Sequence, residues 1–245
     1  MDVSVDSLPE LTPEYRQAQL QAVQEAKVVY QFEEVIVPAT DYGDIFTWVL
    51  GALMFFGIGY QLSWLGVLVA SLFVFAIGSY LYYAGNPDTK QTVTLTERGM
   101  IVTELTLVPD ACFAALRYSG YAGIAISLIG VVLVGPMMFV GAGAGLLMSF
   151  KMAGVVNRPR QRVLPFNSLL NYEFRIAPCI QYKNNLVQWH MSPMIEMVHA
   201  EDDEEGRDLY RSNRNFYFLS YAASYEEQAQ IVKHLAPFLT VVEEE

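Results

Sequence analysis

Between Asp44 and Asp88 the chain carries no charged residue, and that gap limits what it can fold into. The 43 residues Ile45 to Pro87 are rich in Leu, Val, Ile, Phe and Trp, and Gly59-Tyr60-Gln61 interrupts them near the middle. A helix needs about 20 apolar residues to cross a hydrocarbon core about 30 Å thick. The stretch therefore predicts two spans and a tight turn, from about Ile45 to Tyr60 and from about Ser63 to Tyr83. Trp48, Tyr60, Trp64, Tyr80, Tyr82 and Tyr83 fall near the span ends, where amphipathic rings favour the headgroup region. Small residues recur at four-residue spacing in Gly66 and Ala70, which allows close helix contact.

A second uncharged run, Tyr118 to Phe150, has 33 residues and Gly135-Pro136 near its centre. Extended to Ala111 and Ala153, it accommodates two helices with Arg117 and Lys151 snorkelling towards the interface. A second hairpin is the favoured reading; one long span or a re-entrant loop is the alternative. Gly123, Ser127, Gly141 and Gly145 are the candidate helix-packing residues, and their small faces suggest homo-oligomers.

With two hairpins the external tips carry no charge, and all 15 Lys and Arg lie on one side. By the positive-inside rule that side is the cytosol. The expectation is a multi-pass protein of the bacterial inner membrane with both termini cytosolic. Arg158, Arg160 and Arg162 follow the last helix directly and are candidates for contact with anionic lipid headgroups. The N-terminus, with Asp2 and Asp6, lacks the basic region of a cleaved signal peptide.

The net charge of −11 argues against a nucleic-acid partner, since phosphate binding relies on clustered Lys and Arg. Cys112 and Cys179 are too few for a disulfide framework or a cysteine zinc site and read as buried small side chains.

The remaining segments alternate as strands. Thr12-Pro13-Glu14 caps a polar surface helix to Lys27, and Val28–Val37 has strand composition. Thr89–Leu105 reads as a hairpin turning at Glu97-Arg98-Gly99. After Arg162 come strands at Leu170–Ile176, Leu186–Met191, Met194–Ala200 and Asn215–Tyr221, with a turn at Lys183-Asn184-Asn185. Ser224-Tyr225-Glu226-Glu227 fits a capping box, and Ile231, Leu235 and Leu239 share one face of the helix it opens. The expected organisation is 1–27 tail and surface helix, 28–44 strand and membrane entry, 45–85 first hairpin, 88–110 β-hairpin, 111–153 second hairpin, and 160–245 β-rich domain with a C-terminal helix.

This order of elements, with a Thr-rich strand, "LPFNSLLNYEF", "NFYFLSY" and a capped final helix, resembles the bacterial pleckstrin-homology-like membrane proteins, including the YcxB-like group. The resemblance covers about 28–106 and 163–240. It implies a partly open β-barrel closed by a C-terminal helix, interrupted here by the second hydrophobic run, and a scaffolding or binding role without an active site. The expected fold class is then an α-helical membrane protein of four spans with a cytosolic α+β domain.

No P-loop, GxSxG or HExxH pattern is present, and His190, His199 and His234 lack metal-ligand spacing. No cofactor and no metal is expected. Glu201, Asp202, Asp203, Glu204 and Glu205 form an acidic run without the ligand pattern of a calcium loop, and they are candidates for docking a protein partner. Neither hairpin contains a charge, which disfavours coupled transport. The reading is a non-enzymatic membrane protein whose cytosolic module binds a partner or assembles a complex. An oligomeric pore-forming effector is the alternative, since an apolar constriction needs no charge.

Overall fold

The computed structural model describes residues 3–135, 138–196 and 204–242. The chain forms two compact units: Met1–Ala39, Thr89–Leu105 and Pro159–Glu245 make one, and Thr40–Asp88 with Thr106–Arg158 make the other.

The first unit opens with β1 (Val3–Ser4) and α1 (Pro13–Glu25). The Thr12 hydroxyl accepts the Tyr15 N–H at 3.2 Å, and Pro13 occupies the position where a missing N–H costs nothing. β2 (Val28–Ile36) precedes the helical segment. That segment contributes α2 (Tyr42–Leu62) and α3 (Trp64–Ala84) to the second unit. The chain returns as β3 (Thr89–Thr96) and β4 (Gly99–Thr106), leaves again as α4 (Asp110–Val134) and α5 (Met138–Ala153), and re-enters at β5 (Arg160–Pro165). The four strands form one sheet in the order β2-β3-β4-β5, so each excursion is a long loop between strands that belong together.

The rest of the first unit is β6 (Asn171–Gln181), β7 (Val187–Pro193), β8 (Ile195–Glu196), α6 (Glu204–Phe216), β9 (Leu219–Ala223), α7 (Tyr225–Leu235) and β10 (Thr240–Val242). A second sheet has the order β10-β6-β7-β9, and β1 pairs with β8. Among the described residues no ladder joins the two four-stranded sheets. One isolated bridge links them, Pro38 to Tyr182, where the Lys183 N–H also reaches the Val37 carbonyl at 2.9 Å. Asn185, in the same turn, has φ 59, a left-handed conformation that asparagine tolerates.

Period-two burial accounts for the core. Phe32, Val93, Leu95, Met100, Val102 and Leu164 of the first sheet pack in one cluster with Tyr172, Trp189, Met191, Leu219 and Tyr221 of the second, and with Ile231 and Leu235 of α7. The Ser224 hydroxyl caps α7 by accepting the Glu227 N–H at 3.1 Å.

Two strand expectations change. Asn215–Tyr221 is not one strand: α6 runs to Phe216, the Tyr217 N–H still reaches the Asn213 carbonyl at 3.0 Å, and β9 starts at Leu219. Burial of Asn213 and Tyr217 outweighs the β-propensity of the aromatic run. Of Met194–Ala200, Ile195–Glu196 is strand, and 197–200 lie outside the described residues.

In the second unit α2 packs on α3 and α4 on α5. Among the described residues three helices are long and apolar enough to cross a membrane: Tyr42–Leu62, Trp64–Ala84 and Asp110–Leu133. α5 has 16 residues, or about 24 Å at 1.5 Å per residue. Gly135, just past α4, has φ +93, which L side chains rarely adopt.

Candidate functional site

Among the described residues of the second unit, glycines make the helix contacts close. A Cβ built on Gly59 would lie 2.8 Å from the Gly66 carbonyl oxygen and 3.1 Å from the Ala70 Cβ, and one on Gly66 would lie 2.6 Å from the Gly59 carbonyl oxygen. Gly78 seats the Trp48 indole, which would be 2.5 Å from an added Cβ. In the second pair Gly120 lies against the Ala153 backbone and Gly123 against the Ser149 hydroxyl. Gly123 thus lies at the contact of α4 with α5. Gly145 has open space at its Cβ, and its carbonyl accepts the Ser149 hydroxyl at 2.8 Å. Ser127 is half-buried on α4, and the Gly141 side-chain position lies outside the described residues. Sequence reasoning missed Gly59 and Gly78. Gly59 read as a turn residue, and only the fold shows which glycine meets a backbone.

The three arginines after α5 have different surroundings. Arg158 and Arg160 are exposed. The Arg162 guanidinium donates to the Glu104 carboxylate and, at 2.8 Å, to the Ser220 hydroxyl, so it ties β5 to β4 and β9. Its predicted contact with lipid headgroups competes with this pairing, since an arginine held by a carboxylate inside a fold has little charge left to offer. Of the acidic run, Glu201, Asp202 and Asp203 lie outside the described residues. Glu204 and Glu205 begin α6, where carboxylates favour the positive end of the helix dipole.

The second sheet presents a polar face opposite its core face. Its register places Glu173 opposite Ser192 and Arg175 opposite His190, and His190 in turn opposite Ser220. Together with Tyr210 and Arg214 of α6 and with Phe218, this face lines a cleft of about 610 Å³. Arg175 is paired with Glu173 at 2.9 Å. His190 stacks on Phe218, with ring centroids 5.4 Å apart, and its Nδ1 is buried without a partner. Burial, and secondarily the Arg162 charge, hold the His190 pKa below its ordinary value, so the ring is neutral near pH 7. Among the described residues no group of three or more His, Cys, Asp or Glu converges as a metal site.

A third contact joins β2 to α7. The Tyr30 hydroxyl donates to Glu227 at 2.5 Å, and the ring stacks on His234 at 4.9 Å. The hydrogen bond to Glu227, then burial, then the Glu227 charge push the Tyr30 pKa up to about 12. A folded pKa above the unfolded value of about 10 gives stability that is complete below pH 10 and is lost as pH rises through 12. Tyr30→Phe is expected to cost about 1 kcal/mol at pH 7 and to flatten the stability profile between pH 10 and 12. Denaturant melts across that range check both.

Comparison with known proteins decides the family. Residues 14–169, well over half of the chain, match the family described as TsiV2 immunity protein. The chain belongs to the TsiV2 immunity protein family. The immunity protein TsiV2 of Vibrio cholerae serotype O1 is 35% identical over 85 residues, which are 35% of this chain and 34% of that protein. The match thus spans about a third of the relative's length. No solved structure matches the chain.

Membership corrects three expectations. The chain is not one of the YcxB-like, pleckstrin-homology-like proteins: that resemblance rested on the order of strands and hairpins, which unrelated chains can share, whereas the TsiV2 match rests on residues. The role of membrane scaffold and the alternative of a pore-forming effector are both overturned, since the family is one of immunity proteins. Gly120 and Gly123, on the small-residue face of α4, make their contacts within the chain. The matched residues take in β2 to β5, all three span-length helices and α5, whereas the cleft on the second sheet lies wholly beyond them.

Proposed function

We propose that this chain is an integral membrane immunity protein that protects its own cell by binding a toxin, without catalysis. The observation that carries the reading is that the family match encloses every helix long enough to cross a membrane. A protein that only captured a soluble toxin would gain nothing from exposing Leu53, Phe55, Leu72 and Phe75 on its helices, at 48–74% accessibility, to water. Those side chains find a solvent in lipid, which supports a meeting with the toxin at the membrane. Four spans in the bacterial inner membrane, with both termini and the α+β unit in the cytosol, agree with the position of all 15 Lys and Arg outside the hairpin tips. α5 would cross as the shortest span, helped by Lys151 snorkelling.

The test is a competition assay. A strain lacking this gene is mixed with its toxin-producing parent. Killing of the deletion strain, relieved by the full chain but not by a chain without residues 45–87, is the expected result. Equal growth of parent and deletion strain overturns the reading. Reporter fusions at Gly135 and at the C-terminus test the topology, and a C-terminus outside the cytosol rules out four spans.

A further inference from the structure

We propose that the cleft on the polar face of the second sheet binds an acidic segment of a protein partner, with Arg214 as the principal anchor and His190 as a supporting donor. The proposal rests on the immunity reading for the partner being a protein; the anion preference rests on the cleft itself.

The charges in the cleft do not balance. Among the described residues its one carboxylate, Glu173, is already paired with Arg175. Arg214 also lines the cleft, is exposed, and among the described residues has no ion-pair or hydrogen-bond partner. Arg207, Arg211 and Arg214 are spaced four and three residues apart, so they share one helix face, with Tyr210 beside them. Arg211 has a loose pairing with Asp208 at 3.8 Å, both side chains being more than 70% exposed. Glu204 and Asp208 lie on the side of that stripe away from Tyr210. In a chain of net charge −11, three of the 15 basic residues therefore line up along one helix.

His190 adds a directed donor. Its Nδ1 is enclosed and faces no partner, so a proton is better placed on Nε2, where an incoming acceptor can use it. The Ser192 and Tyr210 hydroxyls in the lining can donate in turn. Planar guanidinium groups match carboxylates through two parallel hydrogen bonds, so a segment bearing Asp or Glu side chains meets this donor set better than a neutral one. A volume of about 610 Å³ has room for several carboxylate side chains in extended chain, more than a single small anion fills.

The probe is a fluorescently labelled hexaglutamate peptide, and the protein is the full chain in detergent, read by anisotropy. Saturable binding that weakens with salt is expected, with at least a tenfold loss in Arg214→Gln and retention in Arg214→Lys. Lys233→Gln, on α7, should bind as the parent does. Binding undiminished in Arg214→Gln, or no binding at millimolar peptide, overturns the proposal. So does displacement by inorganic phosphate at concentrations equal to the peptide's, which would make the cleft a small-anion site. The competition assay above reads immunity separately, so failure of one reading is distinguishable from failure of the other.

Discussion

Gln91→Leu is expected to destabilise the first unit by about 3 kcal/mol or more, the sum of two unmet hydrogen-bonding groups at roughly 1–3 kcal/mol each. Gln91 sits on β3 with 1% of its surface exposed. Its Nε2 donates to the Ala222 carbonyl at 2.7 Å and its Oε1 accepts the Ala222 N–H at 3.0 Å. Ala222 belongs to β9, the last strand of the second sheet, so these are the backbone groups of an open edge. The carboxamide takes the place of the missing neighbouring strand. Leucine has nearly the same volume, so the core stays filled while the edge loses both partners, and the change isolates hydrogen bonding from packing. Hydrogen exchange of the full chain in detergent should show faster exchange at β3 and β9 first. Unchanged exchange at the Ala222 amide would show that the edge is satisfied some other way.

Gly66→Ile is expected to separate α2 from α3 and to cost about 1–3 kcal/mol of overpacking, or more where backbone has to yield. An added Cβ meets the Gly59 carbonyl oxygen at 2.6 Å, and a backbone atom cannot swing aside as a flexible side chain can. Gly57→Ile, nine residues before it on α2, is the control, because nothing lies within 4 Å of its Cβ. Both substitutions add the same apolar bulk, so they differ only in what the side chain meets. Thermal loss of helical signal in detergent should come earlier for Gly66→Ile alone, with immunity in the competition assay lost to match. Equal losses for the two variants would assign the effect to hydrophobicity rather than to the close approach.

Much of the local structure was legible in the chain. The Thr12 and Ser224 caps form as their neighbours suggest, because a capping hydroxyl needs only residues three positions away. The turn at Glu97-Arg98 and the alternation of Val93 and Leu95 with threonines place β3 and β4 for the same reason. α6 was not legible. Its residues Arg207 to Asn215 are mostly polar and its buried positions include Asn213, so composition did not mark it. The family was not legible from element order either, because order constrains a fold loosely, whereas residue-by-residue similarity over 14–169 does not depend on guessing the fold.

The candidate site divides the same way. That Arg162 would be near a membrane surface was read from its place after the last apolar run, and sequence distance alone could not reveal Ser220 as its partner. The cleft gathers Glu173, Arg175, His190 and Arg214 from two strands and a helix. The strand pairing that brings Arg175 opposite His190 is fixed by which faces of β6 and β7 enter the core.

By itself the sequence determined where apolar residues cluster, hence the two helical excursions, and where backbone turns and caps must fall. These follow from hydropathy and from contacts within a few residues. Only the tertiary structure decided that Gly59 meets Gly66 across a helix pair, that Gln91 completes the edge of β9 131 residues away, and that Arg214 of α6 lines a cleft with His190 of β7. Such pairings depend on the geometry in which whole elements pack, and no local run of residues encodes that geometry.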